Sequence, residues 1–242
     1  MTDKQRKYNN IVNEFKKKCT IWNTNDVKVV FNTKLENVII SKINYIIVAD
    51  NPGENEKLHN EYLYEDINQK KCAGYIANEF FRRVNIQNES VLVLNKTPIY
   101  TKKSKDLKKN KYKPFLKETM EYMAQLTFNI NMLKPDAQVI IFGLGECFDN
   151  KKKIFNANKL FSPYFKKIRE LYISDFPLIL KHFSHWCFLQ NFILNKKTKK
   201  VTYSANQRLK FDYLKNKVIA KNFLAALKSL PYSSWLKKWK EK

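Results

Sequence analysis

The run Tyr45-Ile46-Ile47-Val48-Ala49 is apolar, rich in β-branched residues and free of polar alternation. That pattern fits a strand buried on both faces, as in a parallel sheet. It stops at Asp50-Asn51-Pro52-Gly53. Pro52 has no N–H for a ladder and Gly53 frees the backbone, so the chain must turn here. Asp50 and Asn51 then stand at the carboxyl end of a buried strand, the edge where open α/β sheets bind ligands. An ordinary strand-ending turn is the other reading.

Three further runs repeat the pattern. Val91-Leu92-Val93-Leu94 ends at Asn95-Lys96-Thr97-Pro98, Val139-Ile140-Ile141-Phe142 ends at Gly143-Leu144-Gly145, and Leu178-Ile179-Leu180 ends at His182-Phe183-Ser184-His185-Trp186. Helical periodicity lies between and around them. Residues 4–18 place Tyr8, Ile11, Val12 and Phe15 on one side, as an amphipathic helix does. Residues 73–84 and 206–230 read as helices, and residues 27–31 as a short strand. Pro114 suits the first turn of a helix that runs to Leu133 with Phe115, Met120, Met123, Leu126 and Ile130 as its stripe. Residues 54–66 read as an aromatic, acidic loop. Strands alternating with helices argue for an α/β domain with a mainly parallel sheet. In such a sheet all four strand-end clusters share one edge, which is the strongest sign of a site.

Charge narrows the partner. Forty-six Lys and Arg against 22 Asp and Glu leave a net charge of +24, which attracts polyphosphate backbones. A compositional bias towards Lys, Asn and Ile is the alternative. Residues 102–113 hold seven lysines among twelve residues and read as a contact to a nucleic-acid backbone, or else as a solvated loop. No apolar run approaches the ~18 residues of a membrane span, and residues 1–18 lack the apolar segment of a signal peptide. Cys19, Cys72, Cys147 and Cys187 contain no C-x-x-C pair; they read as scattered reduced thiols rather than a disulfide framework or an iron–sulfur site.

Three strand ends, in order, resemble the motifs of the uracil-DNA glycosylase superfamily. Ala49-Asp50-Asn51-Pro52-Gly53 is similar to its first motif, a strand followed by Gly-x-(Asp/Asn)-Pro-(Gly/Tyr). Val91 to Pro98 is similar to its strand that ends in the asparagine that reads uracil. His182-Phe183-Ser184-His185-Trp186 is similar to its His-Pro-Ser-Pro-Leu. Ala49 stands for the first glycine, Phe183 and His185 for the two prolines, and Gly53 for the tyrosine of the strict uracil enzymes.

The resemblance implies one three-layer α/β/α domain over residues 1–242, with a central, mainly parallel four-stranded sheet and basic helical extensions at both ends. It implies a monofunctional N-glycosylase that flips uracil or a related damaged base out of DNA and hydrolyses its glycosidic bond with water, without a cofactor or metal. Asn51 would position the water. His182 would donate to the pyrimidine O2 as negative charge builds there. Asn95 would pair with the base edge, since its amide offers both a donor and an acceptor. Asp50, Pro52 and Gly53 would complete the substrate-binding turn, with Asp50 open as a structural partner of the loop instead. Tyr64 would stack on the base, with Tyr62 as its rival. Ser184, His185, Lys102 and Lys103 would bind DNA, and Trp186 would either fill the duplex as a wedge or belong to the core. Glu54 and Glu56 are the alternative water-positioning pair. The expected partner is DNA and not a membrane. The expected state is a monomer in the cytoplasm, nucleoid-associated in a bacterium. Two other readings remain: a nucleic-acid-binding protein that has lost catalysis on the same fold, and an unrelated metal-dependent nucleotide hydrolase using Asp50, Glu54 and Glu56.

Overall fold

A computed structural model describes residues 1–69, 72–83, 86–143, 148–149, 154–155, 159–173, 177–180, 192–194 and 201–203. Helix α1 (Asp3–Trp22) begins where the Thr2 hydroxyl accepts from the Gln5 N–H at 3.2 Å. It buries Tyr8, Val12, Phe15, Cys19 and Trp22. The spacing of four, three, four and three keeps these on one stripe. The helix therefore outlasts residue 18, because Cys19 and Trp22 extend the same apolar seam. Cys19 and Cys72 are free thiols.

Residues 27–31 do not form the expected strand. Only the Val29–Ile99 bridge is present, flanked by Val30 N–H to Pro98 O (2.9 Å) and Tyr100 N–H to Lys28 O (2.8 Å). Pro98 has no N–H to return, which stops a longer ladder.

The central elements follow. Strand β1 (Tyr45–Ala49) leads through α2 (Glu54–His59) and α3 (Ala73–Arg83) to β2 (Val91–Asn95). Helix α4 (Lys113–Leu133), with Pro114 in its first turn, leads to β3 (Gln138–Phe142). The short strands β4 (Phe148–Asp149) and β5 (Ile154–Phe155) pair antiparallel, and α5 (Ser162–Leu171) precedes β6 (Leu178–Leu180). Strands β7 (Phe192–Leu194) and β8 (Val201–Tyr203) form another antiparallel pair. The helix expected over 206–230 lies outside the described residues.

The protein is thus mixed α/β around a parallel sheet. Strand β1 lies between β2 and β3, with Ala49 beside Asn95 and Val48 beside both Leu94 and Ile141. The three-residue β6 pairs along the far side of β3. Because a strand alternates its faces, register makes two rows, Ile46-Leu92-Val139 and Val48-Leu94-Ile141. Both rows enter one core with Tyr8, Phe15, Met120, Met123, Ile130, Tyr164, Phe165 and Ile168 from α1, α4 and α5. Ile47 and Ile140, on the opposite face, are also buried. Burial on both faces explains why β1 and β3 read as unbroken apolar runs, whereas Val91 and Val93 of β2 are half-buried on that face.

Several polar groups inside this core are paired, although the buried Tyr172 hydroxyl has no hydrogen-bond partner. The Thr97 and Thr119 hydroxyls meet at 2.9 Å; Thr127 donates to Met123 O at 2.7 Å and meets the Tyr164 hydroxyl at 3.1 Å. Parallel pairing puts the C-terminal ends of β1, β2 and β3 on one edge.

Ile46 is fully enclosed, whereas Ile21 is 68% exposed. Ile46→Ala should cost about 2–5 kcal/mol in urea unfolding, and Ile21→Ala should stay within about 0.5 kcal/mol. Equal effects at the two positions would contradict the placement of the core.

Candidate functional site at the sheet edge

Lys96 follows β2 directly and is wholly buried. Its N–H donates to Ala49 O (2.9 Å) and Asp50 O (3.0 Å). Its ammonium donates to Asp50 Oδ1 and to Phe142 O, the last residue of β3. The Phe161 and Phe165 rings lie 4.8 and 5.6 Å from Nζ, close enough for cation–π attraction. An unpaired charge here would cost several kcal/mol, so the carboxylate and the carbonyl are conditions of the fold. Gly143 leaves β3 at φ +89, and a Cβ there would collide with Asp50 Oδ1. Only glycine accepts both the backbone angle and the closeness. Asp50, whose role the sequence left open, is thus the partner of Lys96.

Asn51 and Asn95 flank this pair. The Asn51 Nδ2 group donates to the Thr101 hydroxyl (2.9 Å) and to Pro52 O (3.1 Å). Thr101 in turn donates to Lys103 O at 3.0 Å and fixes the loop by its N–H to Pro52 O at 3.2 Å. The Asn51 Oδ1 is buried without a hydrogen-bond partner. Asn95 is 0% exposed, and both its Oδ1 and its Nδ2 lack partners. Leaving a buried polar group unsatisfied costs about 1–3 kcal/mol. Three such atoms on one edge need an explanation, and a ligand with complementary donors and acceptors supplies one.

The segment after Gly53 is more ordered than a loop. Glu56 reaches back to the Gly53 N–H (2.5 Å) and also accepts from the Leu63 N–H (2.8 Å). It starts the six-residue α2, which ends at Asn60 in the left-handed region (φ 51, ψ 41). A glutamate three residues after Gly53 was the available signal for this helix. Burial pushes the Glu56 carboxyl above its ordinary range, and the two backbone N–H groups offset part of that rise.

The other acids of this segment also have partners. Glu61 pairs with Lys34 at 2.5 Å and Glu65 with Arg82 at 2.8 Å. Asp66 accepts from the Asn68 N–H at 2.9 Å. Glu54 accepts from the Tyr100 hydroxyl, which pushes that phenol up to about 12. Arg82 and Asn78 of α3 hold the segment down; Asn78 Nδ2 donates to Leu63 O at 3.2 Å. At Gly74 a Cβ would overlap the Tyr64 backbone. The acidic stretch is therefore a braced, charge-compensated wall.

Among the candidate stacking residues, Tyr62 is 2% exposed and donates its hydroxyl to Val30 O at 2.6 Å. It belongs to the core. Tyr64 is half-buried and lies parallel to the His59 ring, with centroids 3.7 Å apart. Pro52 is buried and Gly53 half-buried in the turn. Lys102 and Lys103 are exposed. The lysine-rich segment behind them is anchored by buried Leu107 and Tyr112 through two short 3-10 turns, Ser104–Lys108 and Asn110–Tyr112. His182, Ser184, His185 and Trp186 lie outside the described residues. Sequence reasoning missed Lys96, Thr101 and Arg82. The one signal for Lys96 was its place directly after an unbroken apolar strand.

A raised carboxyl favours the protonated folded state. The stability that Glu56 contributes is therefore full below its ordinary value of 4.5 and is lost as pH rises through the higher folded value. Urea midpoints of wild type and Glu56→Gln across this range should show the wild-type advantage shrinking as pH rises. A difference that does not change with pH would contradict the burial of this carboxyl.

A scan against protein-family models finds no match to the chain, and a search of curated proteins likewise finds none.

Proposed function

We propose that the protein is a DNA N-glycosylase of the uracil-DNA glycosylase type, acting on uracil or a related damaged pyrimidine by base flipping, on a three-layer α/β/α fold. The observation that carries the reading is the enclosed Asn95 amide, with donor and acceptor both unpartnered at the end of β2. The imide edge of uracil presents one acceptor and one donor side by side, which is the complement of a carboxamide. The neighbouring strand supplies Asn51, whose Oδ1 is likewise unpartnered.

In this reading Asn51 orients the attacking water. Asparagine cannot take a proton as a general base, so the rate comes from binding and electrostatics aimed at the cation-like sugar and the departing anionic base. His182 donates to the pyrimidine O2. Tyr64 stacks on the base with its ring plane set by His59. The exposed Lys102 and Lys103, together with Ser184 and His185, meet DNA phosphates, and Trp186 fills the space that the flipped nucleotide leaves. Flipping costs a few kcal/mol, which the pocket and the wedge offset. The last 62 residues add 15 Lys and Arg against two acids, an excess suited to a polyanion. Lys96 donates to Asp50 and to a backbone carbonyl and is not offered to the sugar, so no Schiff base and no strand cleavage are expected.

The metal-hydrolase reading is disfavoured by the occupation of its three carboxylates. Asp50 holds Lys96, Glu54 holds Tyr100, and Glu56 holds two backbone N–H groups. A catalytically silent DNA-binding protein is the second reading, favoured by Phe183 and His185 in place of the motif prolines.

Single-turnover release of base from uracil-containing oligonucleotides, followed by alkaline cleavage, separates these readings. Wild type should generate abasic sites, and His182→Ala should slow release about 10²–10³-fold while DNA affinity stays within about twofold. No product with U·G, U·A or single-stranded substrate would refute the enzyme, and an unchanged rate in His182→Ala would refute the role of His182.

A further inference from the structure

We propose that the Asp50–Lys96 ion pair is the positioning device of this site, setting the distance and mutual orientation of the Asn51 and Asn95 amides. Its catalytic consequence rests on the glycosylase reading; its structural content does not. Asp50 immediately precedes Asn51, and Lys96 immediately follows Asn95. The pair therefore ties the two asparagines together through their nearest neighbours.

The tie is made at backbone and side chain together. The Lys96 N–H spans to both Ala49 O and Asp50 O, and its ammonium grips Asp50 Oδ1 and Phe142 O. Three strand ends thereby converge on one cation. The rings of Phe161 and Phe165 cover it, and Lys96 has no exposed surface. The ammonium is enclosed while the Asp50 side chain is 20% exposed, and a buried cation that must keep its carboxylate partner ties the two turns together. No described residue hydrogen-bonds the Asn95 side-chain amide. Its aim is set by its backbone, and Lys96 fixes that backbone on the carboxyl side. Asp50 and Lys96 are positioning residues; they do not touch the substrate.

Four proteins decide the matter: wild type, Asp50→Asn, Lys96→Met and the double variant Asp50→Asn/Lys96→Met. Each is measured for thermal unfolding, for the ¹⁵N-resolved side-chain amide resonances of Asn51 and Asn95, and for uracil release with DNA affinity. Each single variant leaves one group of the pair without its partner and should unfold at a lower temperature than wild type. The double variant removes both charges and should recover most of that loss, because no uncompensated ion remains. It should not recover the geometry. Its Asn51 and Asn95 amide resonances should shift and broaden, and release should fall about 10²-fold with DNA affinity within about twofold, the scale of a misplacement near 1 Å. A double variant with wild-type amide resonances overturns the proposal, whatever its activity. A double variant with perturbed amides but a wild-type rate also overturns it. If wild type itself releases no base, the glycosylase reading fails, and the amide resonances alone decide whether the pair positions the two asparagines.

Discussion

A single buried ammonium organises the sheet edge that carries the candidate site of this protein. Lys96 is enclosed at the meeting point of β1, β2 and β3, and it can be there only because Asp50 and Phe142 O accept its hydrogen bonds. Taken alone, such a pair is a poor source of stability: desolvating two ions costs about as much as their attraction returns. What it supplies is specification. The cation demands a carboxylate on the neighbouring turn, the carboxylate excludes a Cβ at Gly143, and the turn that results presents Asn51. The geometry of the edge thus follows from one charge that has to be neutralised.

The second constraint is the bracing of the wall beyond Gly53. Glu56 satisfies two backbone N–H groups from its half-buried position, and α3 clasps the rest through Arg82 and Asn78. A net charge of +24 would by itself suit almost any polyanion. The wall brings carboxylates close to the candidate site and pairs each with a local partner, which leaves the exposed lysines of the neighbouring segment as the charge that the proposed function would use. On the proposed glycosylase reading, affinity and base reading would fall to different parts of the surface, as nucleic-acid recognition generally requires.

Much of this was legible in the chain. Strands β1, β2 and β3 stood out as apolar runs without polar alternation, which burial on both faces explains for β1 and β3, and Pro114 marked the start of α4. The position of the two asparagines at strand ends was legible because both sit where such runs stop. Other features were hidden for physical reasons. Lys96 looks like one more surface lysine in a lysine-rich chain; its burial depends on Asp50, 46 residues away, a pairing no local pattern encodes. Residues 27–31 have strand-like composition, yet their neighbour Pro98 cannot extend a ladder. Helix α2 was lost among aromatics and acids, although its capping glutamate was in plain view. Tyr62 and Tyr64 are indistinguishable by type and spacing, and only packing separates the core phenol from the one stacked on His59.

The account turns on whether the Asn95 carboxamide is a reader of an imide edge. The direct measurement is the side-chain amide resonance of Asn95 followed during titration with free uracil and with N3-methyluracil, which lacks the imide donor. The account predicts a saturable shift with uracil that disappears in Asn95→Ala, and a much weaker response to the methylated base. No shift with uracil, or an equal shift with both bases, would contradict it.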